Sequence, residues 1–440
     1  MSLGLPLPAS GSAAYSIAFG AALLITVALK LWLASRQCRH VARHRSVVPA
    51  AFIDRIPLYA HQRAADYTLA RARLHMIDTV LDAAIRIGLT LLGGMALLVD
   101  GLRALLPASP FLQEVLLVVL VLGLIGVLEL PVAWYRQFVL ERRFGFNRMT
   151  PGLFFMDLLK SSLLSLILGM PVLCAVLWLM TQGGPLWWLW AWAVWMAFVL
   201  LLMWVYPTLL APLFNRFTPL DAGAVRERVE SLLDRCGFAS RGVFVMDGSR
   251  RSAHGNAYFT GLGRAKRIVF FDTLLARLDV DEIEAVLAHE LGHFKLRHVR
   301  KRLALSAASS LIGLALLAWL MQQPGFFQGL GVTPHPEDAR GAIALLLYGL
   351  TLPTFSFLLT PVSSGLSRRQ EFEADAFAAR HTPPERLGQA LIKLYEDNAS
   401  TLTPDPLHSA FYDSHPPALR RLARLRVRGE LPQADPAFGA

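Results

Sequence analysis

The chain has 440 residues, of which 54% are hydrophobic and only 17% charged, with a mean hydropathy of +0.45. A soluble domain carries charge on about a quarter of its residues, so this composition points to a membrane. The net charge of +11 does not indicate nucleic acid, because the arginines stand between apolar runs without an aromatic-plus-basic RNA-binding signature.

A hydrocarbon core of ~30 Å needs about 20 helical residues. Seven segments qualify: 13–33, 84–106, 115–134, 158–180, 187–207, 303–321 and 342–363. The first follows an uncharged N-terminus and continues too far for a cleavable signal peptide, so it reads as a span. The second is the least regular, since Arg86, Asp100 and Arg103 intrude. The fifth opens on Trp187, Trp188, Trp190, Trp192 and Trp195, an interfacial aromatic belt. Glu129, Asp157 and Lys160 are expensive in lipid and should face a polar interior, which favours a water-filled chamber, although helix–helix ion pairs would meet the same cost. Cys38, Cys174 and Cys236 suggest neither a disulfide framework nor a cysteine metal site.

Charge in the connections sets orientation. The first holds Arg36, Arg39, Arg43, Arg45, Arg55, Arg63, Arg71 and Arg73, and the third Arg136, Arg142, Arg143 and Arg148. The connections at 107–110 and 182–185 carry no charge, and 325–339 has Glu337 and Asp338 but no Lys or Arg. Cytoplasmic loops collect the positive charge. The N-terminus is therefore expected outside, with 215–302, the tail after Arg368 and the C-terminus in the cytoplasm.

Both cytoplasmic blocks read as folded. Residues 221–237 have helical periodicity, 242–246 look like a strand, and 257–261 with 267–271 read as two strands joined through Gly263. Asp279, with Glu282 three residues on, opens a capped helix whose apolar stripe is Ile283, Val286 and Leu287. On that helix His289 and His293 lie four apart, so both imidazoles project from one face and can share a cation. With Glu290 this is the zincin arrangement, in which two imidazoles bind zinc and the glutamate takes a proton from a metal-bound water of lowered pKa. A His-Glu-x-x-His string arises by accident on the order of once per hundred such chains, so the third ligand matters. In "SRRQEFEADAFAA", Glu371 and Asp375 are also four apart on a helix, while Glu373 points elsewhere. Glu371 reads as that ligand, and Asp375 as the acceptor for the outer N–H of a ligating histidine. Alone, the pair would be a solvated acidic face for Arg368 and Arg369. A polar, proline-containing end after Gly429 reads as loose.

Five segments in order, "ERRFGFNRMTP" at 141–151, "SAHGNAYFTGLG" at 252–263, "HELGHFKLRH" at 289–298, "SRRQEFEADAFA" at 367–378 and "SHPPALRRL" at 414–422, resemble the type I CAAX prenyl protease family. Its members are integral-membrane zinc endopeptidases. The resemblance implies a mainly α, integral membrane fold: a seven-transmembrane-helix barrel enclosing a chamber, capped by a cytoplasmic zincin-like metallopeptidase domain with a small β-sheet. It implies one Zn2+ per chain, on His289, His293 and Glu371, with Glu290 and His415 catalytic. Asn256 resembles a residue that holds the substrate backbone as an added strand. His415 resembles one that stabilises the oxyanion. Arg421 resembles one that braces the site, and is grouped with Asn256 as substrate-binding. Without the resemblance these three read as a turn asparagine, a histidine before a Pro-Pro turn and a basic helix face. His298 reads as a surface histidine or one behind the metal shell.

The expected organisation is a membrane region with five spans at 1–214, a cytoplasmic peptidase segment at 215–302, two further spans at 303–366, and a C-terminal segment at 367–440 that completes the zinc site. The expected function is zinc-dependent endopeptidase hydrolysis at the cytoplasmic side of a lipid bilayer, on a peptide or protein, lipidated or membrane-associated ones included, without nucleic acid. The Ala- and Arg-rich composition suits the bacterial inner membrane; in a eukaryote the endoplasmic reticulum membrane is expected. Two other readings stay open: a heat-shock-type quality-control metalloprotease, which typically has fewer spans, and a transporter or channel with a vestigial zinc site.

Overall fold

The computed structural model describes residues 10–238, 242–260, 267–335 and 340–425. Gly261 and Gly263 at the expected strand junction, Glu337 and Asp338 of the outer connection, and the end after Gly429 lie outside these residues.

The first half is helical: α1 (Ser10–Arg43), α2 (Leu58–Leu89), α3 (Gly94–Leu105), α4 (Pro110–Tyr135), α5 (Pro151–Gln182) and α6 (Trp187–Val205). A short strand β1 (Phe217–Pro219) and α7 (Ala224–Arg235) lead into β2 (Val243–Met246), β3 (Ala257–Thr260) and β4 (Arg267–Phe271). After α8 (Asp272–Leu275) come α9 (Val280–Lys295), α10 (His298–Leu320), α11 (Pro324–Gly329), α12 (Arg340–Ser356) and α13 (Thr360–His381), then α14 (Pro384–Asp397), α15 (Pro406–Tyr412) and α16 (Ala418–Leu425).

Among the described residues six helical stretches are long and apolar enough to cross a membrane, and α2 with α3 makes a seventh, bent by 50°. This differs from the expected second span at 84–106, which holds only the end of α2 and all of α3. Hydropathy found the apolar half and missed a helix that begins at Leu58. The break has a local cause. Thr90 leaves helical geometry at φ −103° and ψ −90°, and Gly93 takes φ +80°. A Cβ on Gly331 would stand 2.2 Å from the Thr90 carbonyl oxygen, so only glycine lets the loop after α11 lie against the break. Arg86 is accommodated because it donates to Asp82 at 2.9 Å and to the Leu350 carbonyl. The basic residues expected in the first connection mostly sit on α1 and α2, which run on past the apolar segments.

Successive neighbours α1, α2–α3, α4, α5, α6, α10 and α12 close a ring, with α12 returning to α1. The buried apolar positions of α5 (Leu177), α6 (Trp187, Ala191) and α10 (Leu317, Ala318) all lie toward one end of the bundle. There they join Val115, Val118, Ala342 and Leu347 in one apolar core. Toward the other end these helices expose both faces, as walls between lipid and an enclosed space do. The seven-helix barrel with a chamber is thus a consequence of packing confined to one end. Lys160 donates to the Leu213 carbonyl at 3.0 Å, and Asp157 pairs with Arg251 at 2.8 Å, so two of the expensive charges are satisfied.

The peptidase cap has its own core, in which Phe270, Ile283, Leu287, Leu291, Phe377 and Leu387 pack between the sheet, α9, α13 and α14. The sheet order is β1-β2-β4-β3, with β2 and β4 parallel and the two outer pairings antiparallel. Among the described residues strand β3 is therefore an edge. The capping box at Asp279 and Glu282 forms as its residues suggest, with both hydrogen bonds at 2.9 Å. The boundaries drawn at 302 and 366 fall inside continuous helices, α10 and α13, so the cap grows directly out of two membrane spans.

Two of the sequence motifs explain each other. Arg148 N donates to Arg251 O and Ala253 N to Phe146 O, at 3.1 and 3.2 Å, while the His254 ring stacks on Phe146 at 4.3 Å. Tyr67 of α2 donates to Glu141 at 2.7 Å. The segment after α4 thereby docks the cap onto the membrane helices.

Candidate active site

Helices α9 and α13 cross at Gly292, where a Cβ would meet Ala374 Cα at 3.0 Å and Phe377 Cβ at 3.1 Å. That close approach brings Glu371 against the two histidines one turn apart on α9. His289 Nε2 lies 3.4 Å from Glu371 Oε2, His293 Nε2 lies 3.2 Å from Glu371 Oε1, and the two imidazole Nε2 atoms are 3.3 Å apart. Donors in a tetrahedral shell at ~2.1 Å stand roughly 3.4 Å from one another, so these spacings fit one cation among the three. The chemistry of the set agrees. Glu371 Oε2 is buried without a hydrogen-bond partner, and a buried carboxylate oxygen left so is costly. Burial opposes charge on His289, but the hydrogen bond to Asp375 and the Glu371 carboxylate beside it outweigh it and lift its pKa to about 9. A donor set this anionic holds a proton when it holds no metal.

The surroundings orient the ligands. His289 Nδ1 is 2.9 Å from Asp375 Oδ1, which fixes Nδ1 as the donor and leaves Nε2 free for the cation. Asp375 in turn receives Arg421, Nε at 2.9 Å and Nη2 at 2.5 Å. Arg421 is 5% exposed, gives Nε and Nη2 to Asp375 and holds Nη1 3.9 Å from Glu371 Oε2, contacts that brace the site. Glu290, next to His289 on α9, faces a cavity of about 880 Å³, where burial raises its carboxyl above the ordinary range. His289, Asn256, Tyr395, His415 and Arg421 line the same cavity, which reaches Tyr67, Arg71 and His75 of α2.

His415 lies in the turn before α16 with Nε2 3.5 Å from Glu371 Oε2, and Ser414 Oγ is 3.0 Å from its Nδ1. Although 62% of the His415 side chain is exposed, desolvation, with Arg421 beside it and against the pull of Glu371, sets its pKa below the usual imidazole range. Asn256 stands where β3 begins, its side-chain oxygen accepting from Ala257 N at 2.8 Å. Sequence reasoning missed one residue here and left the contacts of two others open. Tyr395, on α14, lines the cavity with a hydroxyl that burial pushes up to about 12. His298 is 1% exposed, as one of its two readings allowed, and connects His293 to Glu373, which faces away from Glu371. No local pattern announces either contact, because both depend on the turn after α9.

Residues 37–216 match a family model described as the CAAX prenyl protease N-terminal domain with five membrane helices, and residues 219–428 match peptidase family M48. CAAX prenyl protease 1 of Saccharomyces cerevisiae is 34% identical over 406 residues, covering 86% of this chain and 88% of the relative. The human CAAX prenyl protease 1 homolog is 30% identical over 455 residues, covering 93% and 95%. The crystal structure of S. mikatae Ste24p superimposes with a TM-score of 0.88 at 29% identity, over 93% of this chain and 99% of that one.

Proposed function

Since the chain belongs to peptidase family M48 and carries the membrane-helix domain of the CAAX prenyl proteases, we propose that it cleaves polypeptides at a zinc ion held by His289, His293 and Glu371. That it is a multi-pass membrane metallopeptidase follows from the family. The observation that supports the metal assignment is the meeting of three donor atoms, within 4.8 Å of one another, around the unpartnered Glu371 Oε2. Two imidazoles and a carboxylate suit Zn2+, which when bound supplies Lewis acidity and a water of lowered pKa.

The chain's own residues divide the remaining work. Glu290 faces the cavity beside the ligands and is the general base, accepting the attacking water's proton and later protonating the leaving amine. Among the described residues strand β3 is the edge of the sheet and its start lines the cavity, so an extended peptide adds to it through backbone hydrogen bonds, with Asn256 at its start to hold the backbone. His415 offers its Nε2–H to the carbonyl oxygen as charge develops there, with Ser414 donating to Nδ1. Asp375 and Arg421 keep His289 in the tautomer and direction the metal needs.

The orientation supported by the loop arginines puts the N-terminus outside and the cap, built from both 215–302 and 367–425, in the cytoplasm. An Ala- and Arg-rich chain suits the bacterial inner membrane, whereas the relatives above are eukaryotic; in either membrane the cap faces the cytosol. By similarity to the CAAX prenyl proteases the substrate is a protein carrying a lipid, which the hollow between the helices would accept.

The decisive variant is Glu290→Gln, which keeps size and hydrogen bonding but not basicity. It should hold about one zinc per chain and cleave a fluorogenic peptide ~100-fold more slowly than the native protein. Near-native turnover would remove Glu290 from the mechanism.

A further inference from the structure

We propose that His298 and Glu373 form a second relay, behind His293, that orients this ligand for the metal; His298 is thus a positioning residue of the reaction. The inference rests on the metal reading above and concerns the half of the site that Asp375 and Arg421 do not reach.

His293 Nδ1 lies 3.0 Å from His298 Nδ1, and His298 Nε2 lies 3.0 Å from Glu373 Oε2. The protons in this chain can be assigned from its end. Ionised Glu373 only accepts, so His298 Nε2 carries the proton and donates it. His298 Nδ1 is then bare and accepts from His293 Nδ1–H. His293 Nε2 is left with its lone pair directed at Glu371 Oε1 and His289 Nε2, the tautomer a metal ligand requires. Every member of the chain has one consistent role.

The contact is built by the fold. On an uninterrupted helix, residues five apart point roughly 140° away from each other. Helix α9 instead ends at Lys295, and Arg297 takes the left-handed conformation at φ +59°, uncommon for a side chain other than glycine. That turn swings His298 back onto His293, where the rings meet edge to face at 5.1 Å. His298 is 1% exposed, yet it opens a helix that leads straight into a membrane span. Glu373 projects from the side of α13 away from Glu371, and Arg369 at 3.1 Å holds its other oxygen. The two ligand histidines are therefore supported differently: His289 through a buried Asp–Arg pair, His293 through a histidine to a carboxylate that is 36% exposed.

The test is equilibrium zinc affinity of the full-length protein in detergent, by competition with a chromogenic chelator, alongside the Tm of the metal-free form. His298→Phe keeps the ring and removes the acceptor; its zinc affinity should fall ~10- to 100-fold while the metal-free Tm stays near native. His298→Gln, whose amide oxygen accepts from His293 and whose amide N–H reaches toward Glu373, should restore most of the loss. Affinity in His298→Phe within about twofold of native would overturn the relay. Should that variant fail to fold, Glu373→Leu at the half-exposed end carries the same test, with weaker binding expected and unchanged binding overturning the proposal. Glu371→Ala is the control: it should lose most of its zinc, and retention there would sink the metal site and the relay with it.

Discussion

Replacing Gly292 by alanine adds one methyl group at the crossing on which the site depends. The new Cβ would stand 3.0 Å from Ala374 Cα, 3.1 Å from Phe377 Cβ and 3.2 Å from Ala374 O. Non-bonded carbons settle at ~3.5–4.0 Å, so α13 has to retreat by roughly half an ångström. Two of the three neighbours are backbone atoms and cannot swing aside. Ala374 lies beside Asp375 and one turn from Glu371, so the retreat carries the third ligand and the His289 partner with it. A zinc shell tolerates deviations of about 0.2 Å, less than half of that movement. Overpacking costs ~1–3 kcal/mol, and the better helix propensity of alanine returns up to ~1 kcal/mol, so the fold should survive. The expected result is a zinc affinity at least ~10-fold weaker, as for other disturbances just outside the ligand shell, with the metal-free Tm lowered by only a few degrees. Chelator competition and thermal unfolding measure the two. Zinc binding within about twofold of native would refute the claim that the glycine at this crossing sets the ligand spacing.

Asp375→Asn should weaken zinc binding ~10- to 100-fold, measured in the same titration, while Arg421→Met, which strands a buried Asp375 charge, should cost ~3–5 kcal/mol in denaturant unfolding. In metal-free protein burial holds the carboxyl of Glu290 above its ordinary range. The raised pKa contributes stability below the unfolded value that is lost as pH rises through the folded one. Glu290→Gln should therefore unfold at a higher temperature than native at neutral pH and at the same temperature in acid, read by calorimetry. For topology, reporters fused after Ala60, Arg250 and Glu430 should report the cytoplasm and one after Ala108 the outside; fusions at 250 and 430 on opposite sides would separate His289 from Glu371.

Membrane spans were legible in the sequence because their requirement is local: ~20 apolar residues satisfy the bilayer wherever the chain goes next. The paired histidines of α9 and the paired carboxylates of α13 were legible for the same reason, since a four-residue spacing puts two side chains on one face of any helix. The capping box at Asp279 involves groups three residues apart and formed as read. What the sequence could not decide involves residues that meet across long stretches of chain. The bend between α2 and α3 depends on Gly331, more than 200 residues later, lying against the Thr90 carbonyl. The spacing of Glu371 from the histidines depends on two helices crossing at a residue without a side chain. By sequence His298 reads as a surface histidine or one behind the metal shell because helical periodicity carries it away from His293, and only the left-handed Arg297 turns it back. Arg421, a bracing residue only by the family resemblance, would by its local pattern be part of a basic face, and α16 packs it behind Asp375. Periodicity fixes which side chains share a face, and the packing of one face on another decides which of them touch.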